Sequence, residues 1–298
     1  MSNRRSHALL CAISLAVVAS CALERVETIE ADVASSGESL RLNRDCNDKL
    51  EDIYTKPNNL PSYDQSRRGD VVRCAKDRVV PADEASRSLA ARNFTGIVAK
   101  YAVQMLRITY RTERLSGQPD LSSAILLIPV ADNRPVASTS VEAAAPAEAA
   151  ADGEVQVEVE VAGGGRVLKR PPLVVFAHGT VPYGQKCAYS RYDPTLDPPT
   201  LGTDTELGSL IALATRGYPV PMSDYAGFVA GSRVAGYLLS PDEAHSLLDG
   251  TRAVPKLTNL QFDSVVLLGH SQGGHAVLSA QALAQSYGLA GSLVGQRV

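Results

Sequence analysis

The sequence contains no tryptophan, only 5% aromatic residues and almost no excess of charge, since its formal net charge is −3 over 298 residues. With so few aromatic side chains, we do not expect a binding site in which sugars or bases stack on aromatic rings. A basic stripe that would follow a phosphate backbone is also missing, and we therefore expect no nucleic-acid partner. No cysteine or histidine spacing is typical of a zinc site, so neither a metal nor an organic cofactor is implied.

The first 21 residues are typical of an export signal. Arg4 and Arg5 precede an apolar run, Ala8–Val18, which ends in small residues. This run is shorter than the about 20 residues that a membrane-spanning helix needs. We therefore expect residues 1–21 to direct export from the cytoplasm.

The end of this signal, Val18-Ala19-Ser20-Cys21, resembles a bacterial lipoprotein box. In that interpretation Cys21 becomes the lipidated first residue of a mature protein that is held at the cell envelope. The alternative is ordinary cleavage near Cys21 or Ala22, which releases a secreted protein without a lipid. Both remain open, and a membrane is expected as a partner only through this anchor.

The remaining chain divides into a lead-in and one domain. Residues 22–50 are polar and show no clear period, which is typical of a linker. Residues 51–298 are predicted to form the folded domain, interrupted at about 136–165 by a low-complexity insert rich in Ala, Glu and Ser. Within the insert, Val155–Val161 alternates apolar and polar residues, and we interpret it as part of a long hairpin loop rather than a partner-binding edge.

Three cysteines follow the signal. Cys46 and Cys74 are candidates for a disulfide, because an exported protein folds in an oxidising compartment. Cys187 is then left over, and we expect any partner that it has to lie outside this chain.

Apolar periodicity predicts strands and helices in alternation. Strands are predicted at Gln104–Arg114, Ser123–Val130, Pro172–Ala177, Tyr218–Ser223 and Val265–Leu268. Helices are predicted to begin near Thr203, Ser240 and Gln272, and the first two have capping-box spacing with Glu206 and Glu243. Strands that alternate with helices build a parallel sheet, whereas the two consecutive front strands pair antiparallel. We therefore predict an α/β fold with a mostly parallel mixed sheet and flanking helices.

The motif that carries chemistry is Gly269-His270-Ser271-Gln272-Gly273, which fits the pattern G-x-S-x-G. A predicted buried strand enters it and a predicted helix leaves it, which is the context of a nucleophile elbow. In such a sharp turn the Ser271 hydroxyl projects outward, while Gly269 and Gly273 let neighbouring backbone approach closely. The alternative is a glycine-rich turn in which Ser271 caps its own helix.

A second motif, His178-Gly179-Thr180, follows the predicted strand Pro172–Ala177. In α/β-hydrolases the corresponding loop donates a backbone N–H to the developing oxyanion. We therefore expect the N–H groups of Thr180 and Gln272 to form an oxyanion hole. A plain strand-to-loop turn is the alternative.

Several further segments occur in a characteristic order. They are Asp52–Tyr54, Gly69–Arg73, Leu106–Thr112, Ser123–Pro129, Gly217–Pro221, Asp224–Gly227 and Leu248–Ala253. Together with the elbow, the oxyanion loop and Cys187, this set resembles the secretory lipases, a Candida lipase A-like branch of the α/β-hydrolases with bacterial relatives. The resemblance extends over about residues 51–298 apart from the insert.

The resemblance implies an α/β-hydrolase fold and a serine hydrolase that cleaves lipid or other carboxylic esters through an acyl-enzyme at Ser271. In this fold the catalytic acid and histidine follow the serine along the chain. No histidine follows the predicted elbow helix; the five are His7, His178, His245, His270 and His275. We therefore expect the C-terminal strands, the acid and the base to be missing here, and this chain to be inactive by itself.

Two other functions remain open. An acyltransferase would use the same elbow with an acceptor other than water. A surface binding module would keep the α/β-hydrolase fold without catalysis, as the missing acid and base would suggest.

Overall fold

The computed structural model describes residues 40–131, 171–195 and 204–298. These residues lie in one compact unit, Ala31–Val298. The export signal with Cys21, most of the linker, and the insert with Val155–Val161 lie outside the described residues, so those predictions stay predictions.

Seven strands form one mixed sheet in the order β1-β2-β3-β5-β4-β6-β7. They are β1 (Val71–Val80), β2 (Ala102–Glu113), β3 (Pro119–Val130), β4 (Leu173–Ala177), β5 (Val220–Ala226), β6 (Ser264–Gly269) and β7 (Ser292–Arg297). The pairs β1–β2, β2–β3 and β3–β5 are antiparallel, whereas β5–β4, β4–β6 and β6–β7 are parallel. The predicted mixed sheet with an antiparallel front is confirmed, although its described strands are parallel in only half of their pairs.

Four α-helices cover the two faces of the sheet: α1 (Ala82–Ala91), α2 (Asp204–Ala214), α3 (Ser240–Leu257) and α4 (Gln272–Tyr287). Leu173 and Val175 of β4 belong to the core packed against α3 and α4, while Val174 and Phe176 belong to the core beneath α1 and α2. Because β4 is buried on both faces, its sequence is continuously apolar rather than alternating. None of the helices in the described ranges has the length and apolar character that a bilayer-spanning segment requires.

The lead-in joins the domain earlier than predicted. Leu42 forms an isolated antiparallel bridge with Thr258, and Cys46 is buried. Cys46 is bonded to Cys74 in β1 by a disulfide, and Cys187 is a free, half-buried thiol. Residues from about 40 thus pack on the domain through an apolar side chain and a disulfide, while the division into a linker at 22–50 and a domain at 51–298 stays a prediction.

Candidate active site

Ser271 lies in a sharp turn between β6 and α4. Its backbone has φ 55° and ψ −116°, a conformation that residues other than glycine rarely adopt. Ser271 is exposed, and its side chain makes no capping hydrogen bond to α4. This strand–turn–helix geometry matches the one predicted for the elbow and differs from the alternative in which Ser271 caps its own helix.

The two elbow glycines are required by their surroundings. A Cβ atom on Gly269 would collide with the carbonyl group of Gly273. A Cβ atom on Gly273 would collide with the carbonyl group of Ala177 at the end of β4. Neither neighbour is a flexible side chain, so the close approach of β4, β6 and α4 depends on glycine at both positions.

The predicted oxyanion loop lies beside the elbow, because β4 and β6 are parallel neighbours with Ala177 opposite Gly269. The His270 N–H donates to the Ala177 carbonyl at 3.3 Å. Within the loop, the Gly179 N–H donates to Glu206 Oε1 at 2.8 Å, which occupies that donor. Thr180 follows as an exposed residue, and its role in an oxyanion hole stays a prediction.

A tyrosine at the end of β5 hydrogen-bonds to this loop. The buried Tyr225 hydroxyl donates to the His178 carbonyl at 2.8 Å. Tyr225 also has a positive φ of 65°, and burial raises its pKa well above the usual range, so it remains a neutral donor. Its neighbour Asp224 is fully buried and accepts the Ser190 N–H at 2.6 Å, and burial is the main cause of its raised pKa. The bond from Tyr225 holds the backbone of the loop two residues before Thr180.

Three of the described histidines are engaged away from the Ser271 hydroxyl. His178 is buried and stacks on Tyr189 with ring centroids 4.9 Å apart. His245 stacks on Tyr287 at 3.9 Å. The His270 ring is largely exposed, and its Nδ1 lies 2.9 Å from Glu206 Oε1.

The fourth histidine, His275, belongs to a network that sequence reasoning missed. Its Nδ1 lies 2.6 Å from Glu243 Oε2, and its Nε2 lies 3.2 Å from Ser240 Oγ. Glu243 Oε1 accepts the Gln272 side-chain amide at 2.7 Å and the Leu238 N–H at 3.0 Å. The network therefore ties the N-terminus of α3 to the N-terminus of α4, next to the elbow.

An open cleft of about 570 Å³ adjoins the elbow on the α2 side. Its lining is mainly apolar and includes Phe94, Phe176, Leu213 and Leu268. Within the described ranges, no group of three or more His, Cys, Asp and Glu side chains is placed to hold a metal ion. The site therefore offers a hydroxyl, backbone N–H donors and an apolar cleft.

Comparison with known proteins finds a family match over part of the chain. The sequence model of the Secretory lipase family matches residues 193–298. A curated relative described as "Lipase A" from Moesziomyces aphidis is 43% identical over 81 residues, which is 27% of this chain and 16% of that protein.

Solved structures also resemble this chain. The rice cell wall degrading esterase LipA from Xanthomonas oryzae has a TM-score of 0.51 and 22% identity, over 77% of this chain and 49% of that one. The closed state of Candida antarctica lipase A has a TM-score of 0.49 and 24% identity, over 82% and 44%. The likeness to LipA shows the α/β-hydrolase fold, and this chain spans about half the length of that protein.

Proposed function

We propose that this chain, which matches the secretory lipases over residues 193–298 and has an α/β-hydrolase fold, carries the nucleophile of a carboxylic ester hydrolase. The observation that supports this most is the backbone of Ser271, with φ 55° and ψ −116° between β6 and α4. A strained serine that is exposed and makes no cap has no evident structural role. Strain of this kind is concentrated at functional sites.

In the proposed reaction the Ser271 oxygen attacks the ester carbonyl carbon. The alcohol part of the ester then leaves, and the acyl group stays on Ser271 as an acyl-enzyme. The carbonyl oxygen becomes negative in the tetrahedral intermediate. The N–H groups of Thr180 and Gln272 would stabilise it, and each such donor is worth roughly 10²–10³ in rate. The N-terminus of α4 adds a favourable dipole. Water then cleaves the acyl-enzyme.

The serine proton needs a base. None of the imidazoles in the described ranges hydrogen-bonds to Ser271 Oγ, so the structure supplies no base poised on this hydroxyl. The expectation that the 298-residue chain has little activity therefore stays a prediction.

The substrate class and location are part of the same proposal. The cleft beside the elbow is mainly apolar, which suits the acyl chain of an ester better than a charged group. The family description and the predicted signal at residues 1–21 both favour export, with Cys21 as the lipid attachment point if the protein is anchored.

A fluorophosphonate probe tests the nucleophile. In the protein isolated from its natural host we expect the probe on the peptide that contains Ser271, and S271A should lose it. The matched variant S286A, which removes an exposed hydroxyl bonded only within α4, should keep the label. Labelling of that peptide in S271A would reject Ser271.

Turnover tests the expectation of inactivity separately. Ser271 should contribute little to the hydrolysis of p-nitrophenyl esters by the 298-residue chain, so that S271A slows turnover only slightly, because a serine without its base is a weak nucleophile. Fast turnover that S271A abolishes would contradict this expectation while leaving Ser271 as the nucleophile.

A binding module of the same fold is the second candidate. It is favoured by the lack of an imidazole hydrogen-bonded to Ser271 Oγ among the described residues. Such a protein would bind a carboxylic ester at the elbow without releasing an alcohol there, and the probe would not label Ser271. An acyltransferase would instead react with the probe at Ser271. It would transfer its acyl group to an added alcohol in preference to water.

A further inference from the structure

The geometry points to a second acyl-accepting site, in which Ser240 is the nucleophile, His275 the base and Glu243 the acid that orients it. This site does not depend on Ser271. It lies where α3 begins, and its three side chains come from two helices. Their order along the chain is Ser, acid, His.

The hydrogen-bond partners of His275 indicate the tautomer of its ring. A buried carboxylate only accepts hydrogen bonds, so His275 Nδ1, at 2.6 Å from Glu243 Oε2, carries a proton. In a neutral imidazole Nε2 is then the acceptor. Ser240 Oγ lies 3.2 Å from Nε2 and donates to it. This is the arrangement in which a serine hydroxyl is activated by a base that a carboxylate holds in one tautomer.

The acid is held firmly in place. The Glu243 side chain is only 1% exposed, while His275 is 33% exposed and reachable from solvent. Glu243 also accepts the Leu238 N–H at 3.0 Å, and Leu238 has an unusual positive φ of 53°. Together with His275 and the Gln272 amide, Leu238 gives this buried carboxylate three donors. Burying a charge and straining a backbone are each unfavourable alone, so these contacts hold the carboxylate in one position.

The surroundings indicate the substrate class. Tyr237, Leu238 and Leu239 immediately precede Ser240 and are 45%, 47% and 37% exposed. An exposed apolar stretch of this kind suits the acyl chain of a small ester. Ser240 is the first residue of α3, where the helix dipole favours the negative oxygen of a tetrahedral intermediate.

The step proceeds as follows. Ser240 Oγ forms a bond to the ester carbonyl carbon as its proton passes to His275 Nε2, and Glu243 stabilises the imidazolium. The bond between that carbon and the alkoxy oxygen then breaks, and the leaving alcohol takes the proton from Nε2. Water, deprotonated by Nε2, releases the carboxylic acid and restores Ser240.

Labelling in a background without Ser271 tests this site. In the 298-residue chain carrying S271A, a fluorophosphonate should modify the peptide that contains Ser240. Adding S240A should remove the label, and adding H275Q should slow it by roughly 10² or more. Absence of label on that peptide in S271A overturns the proposal, whether or not Ser271 reacts in the unaltered chain.

A thiol variant tests the same base without relying on a bulky probe. We expect S240C in a C187S background to react with iodoacetamide at pH 6 at least about tenfold faster than S66C, because an adjacent imidazole favours the thiolate. Ser66 is the matched control, since it is exposed and its hydroxyl bonds to a carboxylate, Asp64, instead of an imidazole. Adding H275Q to the S240C variant should abolish this difference in reaction rate. Equal rates for the two variants would show that the network only links α3 to α4.

Discussion

Replacing Ser271 by glycine should make the protein more stable than replacing it by alanine. Alanine keeps the side-chain strain of φ 55° and ψ −116°, whereas glycine tolerates that backbone. The strain is worth about 1–3 kcal/mol, and glycine loses about 0.5–1 kcal/mol through the greater freedom of the unfolded chain. We therefore expect the free energy of unfolding of S271G to exceed that of S271A by about 1 kcal/mol, which corresponds to about 2–4 °C in Tm for a domain of this size.

The matched control is Ser279, which lies inside α4. At an ordinary helical position glycine is about 1 kcal/mol less favourable than alanine, so S279G should be less stable than S279A. Replacing alanine by glycine should thus raise the stability at position 271 and lower it at position 279, as measured by urea unfolding or differential scanning calorimetry. If S271G is also less stable than S271A, Ser271 is not strained in solution and the elbow geometry is wrong.

Two further changes act away from the elbow. Replacing both Cys46 and Cys74 by alanine should lower the free energy of unfolding by about 3–4 kcal/mol, since the disulfide closes a loop between residues 28 apart; a reducing agent should destabilise the native protein in urea unfolding but not this variant. Burial raises the pKa of Asp249 to about 6, so its contribution to stability is present below about pH 4 and is lost as the pH rises through about 6. In urea unfolding from pH 4 to 7, D249N should therefore lose less stability than the native protein, by up to about 3 kcal/mol, and parallel profiles would contradict the assignment.

The apolar pattern located β2 to β6 and α2 to α4, but it missed α1, which also contributes to the core. β4 and β6 are short and continuously apolar, and the helices after them repeat apolar residues at helical spacing, so burial is visible in the sequence. β1 was missed because Arg73 and the charged run Lys76–Arg78 interrupt it, as suits an edge strand that is half exposed. β7, at the other edge, is likewise too exposed to show an apolar period.

The elbow could be predicted because all its parts are adjacent in the sequence. The Ser240–Glu243–His275 network could not, because Glu243 and His275 are brought together only by the packing of α3 on α4. The spacing of Ser240 and Glu243 predicted a capping box, and that prediction is wrong. The N-cap is Leu239, the Ser240 hydroxyl bonds to His275, and the Glu243 carboxylate accepts the Leu238 N–H.

The neighbouring positions of β4 and β6 have a consequence for the newly made chain. Ala177 and Gly269 face each other across the sheet although more than ninety residues separate them in the sequence. A molecule in which this pairing has not yet formed would hold Ser271 without the facing loop, so the two candidate parts of the site come together only through a contact that is distant in the sequence.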